Sequence, residues 1–359
     1  YQFLLMIVVK NTGSAYLVAP SIAEADRAVT ARIKGNFRIK GIRTTNPVAV
    51  GDNVEITTPG PDGVAFITAI EPRRNYIIRR ASNLSKEAHI IASNIDQACL
   101  IVSLAEPATS TTFIDRFLAT AEAYRIPAVI VINKTDILEA ETDGRELIDA
   151  VAHLYRSIGY TVVECSAATG QGLDALRAIL ADKVSLLSGN SGVGKTSLIN
   201  RLIPGLDLRT SAISSTHHTG MHTTTFSEMF PLPGGGAIID TPGVKGFGTI
   251  DFEPSEVGHF FPEIFRYAKE CRYGDCSHTH EPGCAGQGCR RCAHIPKPLR
   301  ILSLHTRRDP RRRQIPQAIL MSLFRAGSRV FSDFLANFAI SPSSPCYIQF
   351  FIPIYLFLP

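Results

Sequence analysis

The segment GNSGVGKTSLIN, residues 189–200, constrains the fold of this chain more than any other stretch. It satisfies the pattern G-x-x-x-x-G-K-[ST], follows the apolar strand VSLLS and opens the helical segment TSLINRLI. Glycines allow backbone N–H groups to converge on phosphate oxygens, and a helix N-terminus adds a favourable partial charge. The segment predicts a phosphate-binding loop in an α/β sheet. A glycine turn before a surface helix is the competing interpretation.

Four positions, two in this loop and two further along the chain, fit the phosphate and magnesium side of such a site. We expect Lys195 to bridge the β- and γ-phosphates and Thr196 to bind Mg²⁺ through its hydroxyl. Asp240 ends the apolar strand in GGGAIIDTPG, and Gly243 follows three residues later. The carboxylate is predicted to hold the water shell of the metal, and the Gly243 N–H to meet the γ-phosphate.

A polar stretch, SSTHHTGMHTTT, separates the phosphate loop from that strand. It is too polar for a core strand and too long for a tight turn, which is typical of a mobile switch loop. Thr224 is predicted to complete the magnesium shell when the γ-phosphate is present, with Thr223 in reserve.

The tetrapeptide NKTD follows the strand AVIVI and predicts a base-binding site. A carboxylate at Asp136, supported by Asn133 and Lys134, accepts from both the ring N–H and the exocyclic amine of guanine, a donor pair that adenine lacks. The next strand ends in CSAATGQG, where the backbone of Ser166 and Ala167 is expected to donate to the guanine carbonyl. The two motifs together favour GTP over ATP.

NKTD precedes the phosphate loop along this chain, the reverse of the usual order in GTP-binding domains. A binding site depends on which strand ends are neighbours in space, so a circularly permuted chain can keep it. The chain leaves the sheet soon after DTPGVKGFG and enters a cysteine cluster. We therefore expect the permutation to tether a γ-phosphate-sensitive segment to a C-terminal module.

The pattern along the chain predicts four regions. Residues 1–74 contain short Val- and Ile-rich runs with Gly, Pro and Asn turns, typical of a small β-barrel or sandwich; 75–250 alternate apolar strands with amphipathic helices; 251–300 suit a small zinc module; and 301–359 form an atypical tail. Several basic residues lie beside an aromatic one in the first region, which fits either an RNA-binding barrel or an ordinary polar surface. They are Arg32, Lys34, Arg38, Lys40 and Arg43, with Phe37.

Composition and the apolar ends argue against a disordered chain and against a membrane-spanning one. Hydrophobic residues make up 45% and charged residues 19% of 359, as in a soluble globular chain, and the net charge of +5 is too small to establish a polyanionic partner. The run RRDPRRR, residues 307–313, is either a solvated tail or a nucleic-acid contact. The apolar ends are too short or too proline-rich for a membrane helix, so no membrane association is expected.

Five of the eight cysteines lie between Cys271 and Cys292, which favours metal binding in a reducing cytoplasm over a disulfide scaffold. The spacing C-x4-C-x-H-x5-C offers three sulfurs and one nitrogen and predicts one structural, tetrahedral Zn²⁺. The predicted ligands are Cys271, Cys276, His278 and Cys284. His280, Cys289 and Cys292 are not assigned a role.

The series NKTD, CSA, GNSGVGKTSLIN, GMHTTT, DTPGVKGFG and CRYGDCSHTHEPGC closely resembles the ribosome small-subunit-dependent GTPase A family of circularly permuted GTPases. The resemblance covers about residues 1–284. It implies an α/β fold, a circularly permuted P-loop GTPase domain with an N-terminal OB-fold-like β-barrel and a C-terminal zinc-binding module. It also implies a cytoplasmic factor that hydrolyses GTP on the small ribosomal subunit late in maturation, with the barrel and zinc module binding rRNA.

The same resemblance bears on catalysis. An apolar residue, Val244, stands where other GTPases often carry a glutamine after DxxG, so His222 in the switch loop is the candidate for positioning water. The predicted catalytic residues are His222, Lys195 and Thr224. The predicted GTP-binding residues are Asn133, Lys134, Asp136, Ser166, Ala167, Gly189, Asn190, Ser191, Gly192, Val193, Gly194, Lys195, Thr196, Ser197 and Gly243.

After Cys284 the chain departs from the family pattern of an acidic helix and a tyrosine-rich motif. We expect a monomer whose slow turnover is raised by a ribosomal partner. The alternative is a nucleotide-gated RNA-binding checkpoint in which hydrolysis serves only release.

Overall fold

The computed structural model describes residues 3–33, 47–61, 63–80, 88–208, 227–241, 256–274, 276 and 281–285. The described residues up to 241 form one compact unit, and those from 256 onward belong to a second. Among these described residues, no helix combines the length and the apolar character needed to cross a bilayer.

The first five strands close into a barrel. They are β1 (Leu4–Asn11), β2 (Tyr16–Ala19), β3 (Val29–Ile33), β4 (Asn53–Ile56) and β5 (Val64–Ile70). Their order is β1-β2-β3-β5-β4, and β4 pairs again with β1. Of these pairs, β3–β5 is parallel and the others are antiparallel. Val8, Val54 and Ile67 are fully buried in the core. This is the five-stranded OB-type barrel, and it confirms the expected fold of the N-terminal region.

A hairpin of β6 (Tyr76–Arg80) and β7 (Ala88–Ser93), which the sequence analysis did not predict, follows the barrel. A buried ion pair between Asp52 of the barrel region and Arg73, just before β6, attaches the hairpin to the barrel. The Asp52 carboxylate accepts hydrogen bonds from Arg73 Nε and Nη2, each at 2.6 Å, and from Ser93 Oγ at 2.6 Å. Burial, with a contribution from Asp52, raises the pKa of Tyr16 to about 12. The hydrogen bonds from Arg73 and Ser93 compensate the buried Asp52 carboxylate for its loss of water.

An α/β sheet forms the rest of the first unit. Its strands are β8 (Gln97–Ser103), β9 (Ala128–Asn133), β10 (Thr161–Glu164), β11 (Val184–Ser188), β12 (Glu228–Pro231) and β13 (Ala237–Asp240). Its helices are α1 (Thr111–Ala123), α2 (Thr135–Glu139), α3 (Gly144–Ile158), α4 (Leu173–Leu180) and α5 (Lys195–Leu202). The strand order is β10-β9-β8-β11-β13-β12, parallel except for β12.

Both faces of this sheet are covered, as its continuous apolar strands predict. All seven residues of β8 are buried. Leu100 lies in the hydrophobic cluster that includes residues of α1 and α3 and continues into the barrel, whereas the next residue, Ile101, lies in the cluster with α4 and α5. The alternation of side chains along one strand therefore supplies both cores.

The barrel and the α/β region share one continuous sheet of eleven strands. Strand β12 pairs with β13 on one side and with β1 of the barrel on the other. No periodicity in the sequence predicted this joint, because it unites strands that are more than 200 positions apart.

The second unit is described only in part. A 3₁₀ turn at Val257–Phe260 leads into α6 (Pro262–Ala268), which has proline at its first turn, where a missing N–H costs no hydrogen bond. Most of the predicted regions 251–300 and 301–359, including Arg307 to Arg313, lies outside the described residues.

Candidate nucleotide-binding site

The loop from Gly189 to Gly194 connects β11 to α5, the strand-loop-helix context that its sequence predicts. Gly194 has φ of +91°, in the left-handed region that favours glycine. A Cβ built there would lie 2.3 Å from Asn133 Nδ2. The glycine is therefore required both by the backbone conformation and by the close approach of the NKTD segment.

Lys195 is the first residue of α5. Its Nζ donates hydrogen bonds to the carbonyl oxygens of Gly189 at 2.7 Å and Asn190 at 3.0 Å. Burial lowers the pKa of Lys195, and the nearby Asp240 carboxylate opposes that change. Thr196 and Ser197 are half-buried in the first turn of α5. The ammonium group is thus held over the loop by two backbone acceptors that phosphate oxygens could replace.

Asp240 ends β13, next to the strand that leads into the loop, with Leu187 as its cross-strand partner. Within the described part of the chain, its Oδ1 is buried and has no hydrogen-bond partner. Burial raises the pKa of the Asp240 carboxyl, while Lys195 and the Thr241 N–H lower it. A buried carboxylate oxygen without a donor is costly unless a cation or water supplies the missing contact. The donor chemistry at Asp240 therefore fits a hard cation such as Mg²⁺.

Asn133 joins the two motifs that lie in reversed order along the chain. This residue ends β9 and is buried; its Nδ2 donates to Val193 O of the phosphate loop at 2.8 Å. Its Oδ1 accepts from the backbone N–H of Ala167 at 3.0 Å. One amide side chain thereby connects the NKTD, CSA and phosphate-loop segments.

The other residues predicted to bind the guanine base lie close to Asn133 in the chain or are hydrogen-bonded to that segment. Ser166 Oγ donates to Asp136 Oδ1. Lys134 has φ of +64°, and its Nζ donates to Glu106 O in the loop after β8. The predicted residues of the NKTD, CSA and phosphate-loop segments are therefore in one region at the carboxyl ends of β8, β9, β10 and β11, where open α/β sheets bind ligands.

The sequence analysis missed two contributors. Arg201 of α5 donates to the carbonyl oxygens of Ala167 and Ala168, each at 3.0 Å, and so ties the phosphate-loop helix to the CSA segment. Glu106 contributes through its backbone carbonyl. Neither residue belongs to a motif. The contact with Glu106 uses a backbone carbonyl, which every residue has, so the sequence gives no sign of it.

Several predicted residues lie outside the described part of the chain, so their roles stay predictions. They are His222, Thr223, Thr224, Gly243, Val244, His278, His280, Cys289 and Cys292, and Lys34, Phe37, Arg38, Lys40 and Arg43 of the barrel. Arg32 is described and exposed on β3.

Three of the four predicted zinc ligands come together in the second unit. The sulfur atoms of Cys271, Cys276 and Cys284 lie within 4.8 Å of one another, with Cys276 and Cys284 buried. Converging thiols of this kind suit a soft or borderline cation such as Zn²⁺.

Comparison with known proteins assigns the chain to a family. The model of the RsgA GTPase domain matches residues 70–250, and that of the RsgA N-terminal domain matches residues 7–64. The chain belongs to the RsgA GTPase family. Membership makes it a GTP hydrolase, as NKTD and the phosphate loop predict, and it confirms the resemblance on which the expected fold rested.

Curated RsgA proteins and solved structures agree with this assignment. The protein called small ribosomal subunit biogenesis GTPase RsgA in Bacteroides fragilis is 57% identical over 279 residues, covering 78% of this chain and 88% of the relative. Its namesake in Porphyromonas gingivalis is 56% identical over 283 residues, with the same coverage.

Two solved structures are similar along most of the chain. The crystal structure of YjeQ from Thermotoga maritima has a TM-score of 0.67 at 30% identity, and it covers 86% of this chain and 100% of its own. The structure of YloQ, described as a circularly permuted GTPase, has a TM-score of 0.64 at 28% identity, with coverage of 87% and 98%. The permuted order of motifs in this RsgA-family chain is therefore that of a known fold.

Proposed function

We propose that this RsgA-family GTPase binds the small ribosomal subunit, assists its late maturation, and couples its nucleotide state to the binding and release of rRNA. The names of its curated relatives support the partner, and the site supports the nucleotide. The observation that carries the proposal is the Asn133 side chain, which joins the base-binding segment to the phosphate loop.

The nucleotide would lie across that junction. Asp136 would accept from the guanine ring N–H and exocyclic amine, and the Ser166–Ala167 backbone would donate to its carbonyl. Lys195 would exchange the Gly189 and Asn190 carbonyls for β- and γ-phosphate oxygens. The other loop residues, from Ser191 to Val193, would supply backbone N–H groups.

Thr196 and Asp240 would hold Mg²⁺, and Thr224 would complete its shell when the γ-phosphate is present. The ion would neutralise charge that develops on the phosphates. The buried Asp240 Oδ1 without a hydrogen-bond partner in the described residues supports this role. The Gly243 N–H would meet the γ-phosphate.

We further propose that His222 positions the attacking water, because Val244 offers no polar group for that task. Cys271, Cys276 and Cys284, with His278 as the fourth ligand, would hold one structural Zn²⁺. The same proposal includes domain boundaries near residues 74, 250 and 300, action as a monomer in the cytoplasm, and rRNA contact by the barrel.

Single-turnover GTP hydrolysis with and without purified small subunits tests the function. The expected result is a rate that rises on adding small subunits and does not rise with large subunits. Lys195→Ala should abolish hydrolysis in both conditions, while Arg116→Ala, on the exposed face of α1, serves as the control for removing a basic side chain. An unchanged rate with small subunits would favour the RNA-binding checkpoint in which hydrolysis serves only release.

A second measurement tests the proposed role of His222 in positioning water. His222→Ala should lower the single-turnover rate without weakening GTP binding, because positioning water contributes only to the chemical step. A wild-type rate in this variant would remove the assignment.

A further inference from the structure

Three charged residues lie side by side across three neighbouring strands of the first unit. Lys10 of β1 is the cross-strand partner of Glu228 of β12, and Glu228 is the cross-strand partner of Asp240 of β13. Directly opposite residues on adjacent strands point to the same face, with Cβ atoms roughly 4.5–5.5 Å apart. We call Lys10, Glu228 and Asp240 the charged row.

The row begins with an ion pair. Lys10 Nζ lies 2.9 Å from Glu228 Oε1, and the two side chains are 34% and 25% exposed. A backbone hydrogen bond of 3.1 Å from Asn11 N to Ser227 O holds the same strand pair. The contact therefore connects the barrel to the strand beside Asp240 and is partly shielded from solvent.

The other half of the row joins two like charges. The carboxylate of Glu228 contributes to the raised pKa of Asp240, although burial is the larger cause. Like charges placed directly opposite on neighbouring strands repel each other. Lys10 offsets the charge of Glu228, so the field at Asp240 depends on a residue of the barrel.

We propose that the charges of Lys10 and Glu228 set the magnesium affinity of the nucleotide site from the barrel side, with opposite signs. The inference rests on the proposed function, because it assumes that Asp240 serves bound Mg²⁺. Glu228 attracts a divalent cation at Asp240 and Lys10 repels it, so the two contributions nearly cancel while the ion pair is intact.

The proposal has a consequence for coupling. By Coulomb's law, a unit charge about 8 Å from a divalent ion in water changes the binding of that ion by about threefold to tenfold. Lys10 is one third exposed, so an anion bound at the barrel, such as an RNA phosphate, could take it from Glu228. That exchange would raise the magnesium affinity of the nucleotide site.

Magnesium titrations of equilibrium binding of a fluorescent GDP analogue test the proposal without relying on turnover. Lys10→Met should raise the apparent magnesium affinity about threefold to tenfold, and Glu228→Gln should lower it by a similar factor. The double variant should return to within about twofold of wild type, because both charges are removed. Lys10→Arg should behave as wild type.

The matched control is Arg27→Met, which removes an exposed charge of the barrel region whose ion-pair partner, Glu24, lies three residues before it in the chain. It should leave magnesium affinity unchanged. Raising KCl from about 0.05 M to about 0.5 M should shrink the shifts of both single variants, as screening requires.

Opposite shifts in the two single variants distinguish a charge effect from a structural one. Weaker magnesium binding in both variants, or no change in either, would overturn the inference while leaving the GTPase assignment intact. A wild-type protein that binds no guanine nucleotide would overturn the proposed function as well, whereas guanine nucleotide binding that is equal with and without magnesium would overturn only the magnesium role of Asp240 and the inference that rests on it.

Discussion

Replacing Gly194 with alanine is expected to separate the two halves of the nucleotide site. A non-glycine residue at φ of +91° costs about 1–2 kcal/mol. The new Cβ would lie 2.3 Å from Asn133 Nδ2, so the Asn133 side chain must move. Losing its buried contacts with Val193 and Ala167 costs about 1–3 kcal/mol more. The free energy of unfolding should therefore fall by about 2–5 kcal/mol.

Gly205→Ala is the matched control for this change. Gly205 has φ of +81° in the loop after α5, and a Cβ there meets nothing within 4 Å. It should lose only the backbone contribution of about 1–2 kcal/mol. Urea unfolding of the nucleotide-free proteins measures the difference, and a fluorescent GDP analogue measures binding, which only Gly194→Ala should weaken. Equal losses of stability in the two variants, within about 0.5 kcal/mol, would refute the reasoning.

Three further predictions follow from the site. Asp136→Asn should weaken GTP binding roughly 100-fold, because the carboxylate that accepts from two N–H groups of guanine is lost. The variant should instead favour xanthosine triphosphate, whose base has a carbonyl in place of the exocyclic amine. Competition binding measures both effects, with Asp174→Asn, on the exposed face of α4, as the control. Since burial raises the pKa of the Asp240 carboxyl, its contribution to stability is present at low pH and lost as pH rises through that pKa. Asp240→Asn, free of nucleotide and magnesium, does not titrate and should therefore gain stability relative to wild type in urea unfolding as pH rises above the ordinary range of an aspartate; a relative loss would contradict this. Cys276→Ser should lose bound zinc, measured by metal analysis, while GDP binding persists; retained zinc would exclude the predicted ligand set.

Much of the local structure was predictable because short segments carry their own signals. The predicted alternation of apolar strands with amphipathic helices is confirmed by β8 to β11 and by α1, α3 and α4. The glycine pattern predicted the loop before α5. By contrast, the sequence analysis did not predict the β6–β7 hairpin or the strand β12, which are short or lie beside polar segments where periodicity is weak.

Sequence alone also determined which chemistry was possible. NKTD, the phosphate loop and the cysteine spacing predict a carboxylate for guanine, an ammonium for phosphate and thiols for a soft metal, because these properties belong to the residue types. The order of the motifs along the chain is enough to indicate a circular permutation, since it is read directly from residue positions.

Only the tertiary structure decided how these groups meet. The contact of Asn133 with Val193 joins residues 60 positions apart, and the ion pair of Lys10 with Glu228 joins residues 218 positions apart. Such pairings depend on strand order and register, which arise when whole surfaces are buried together. Local patterns indicate that a strand exists, whereas its neighbours are selected by the packing of the complete sheet.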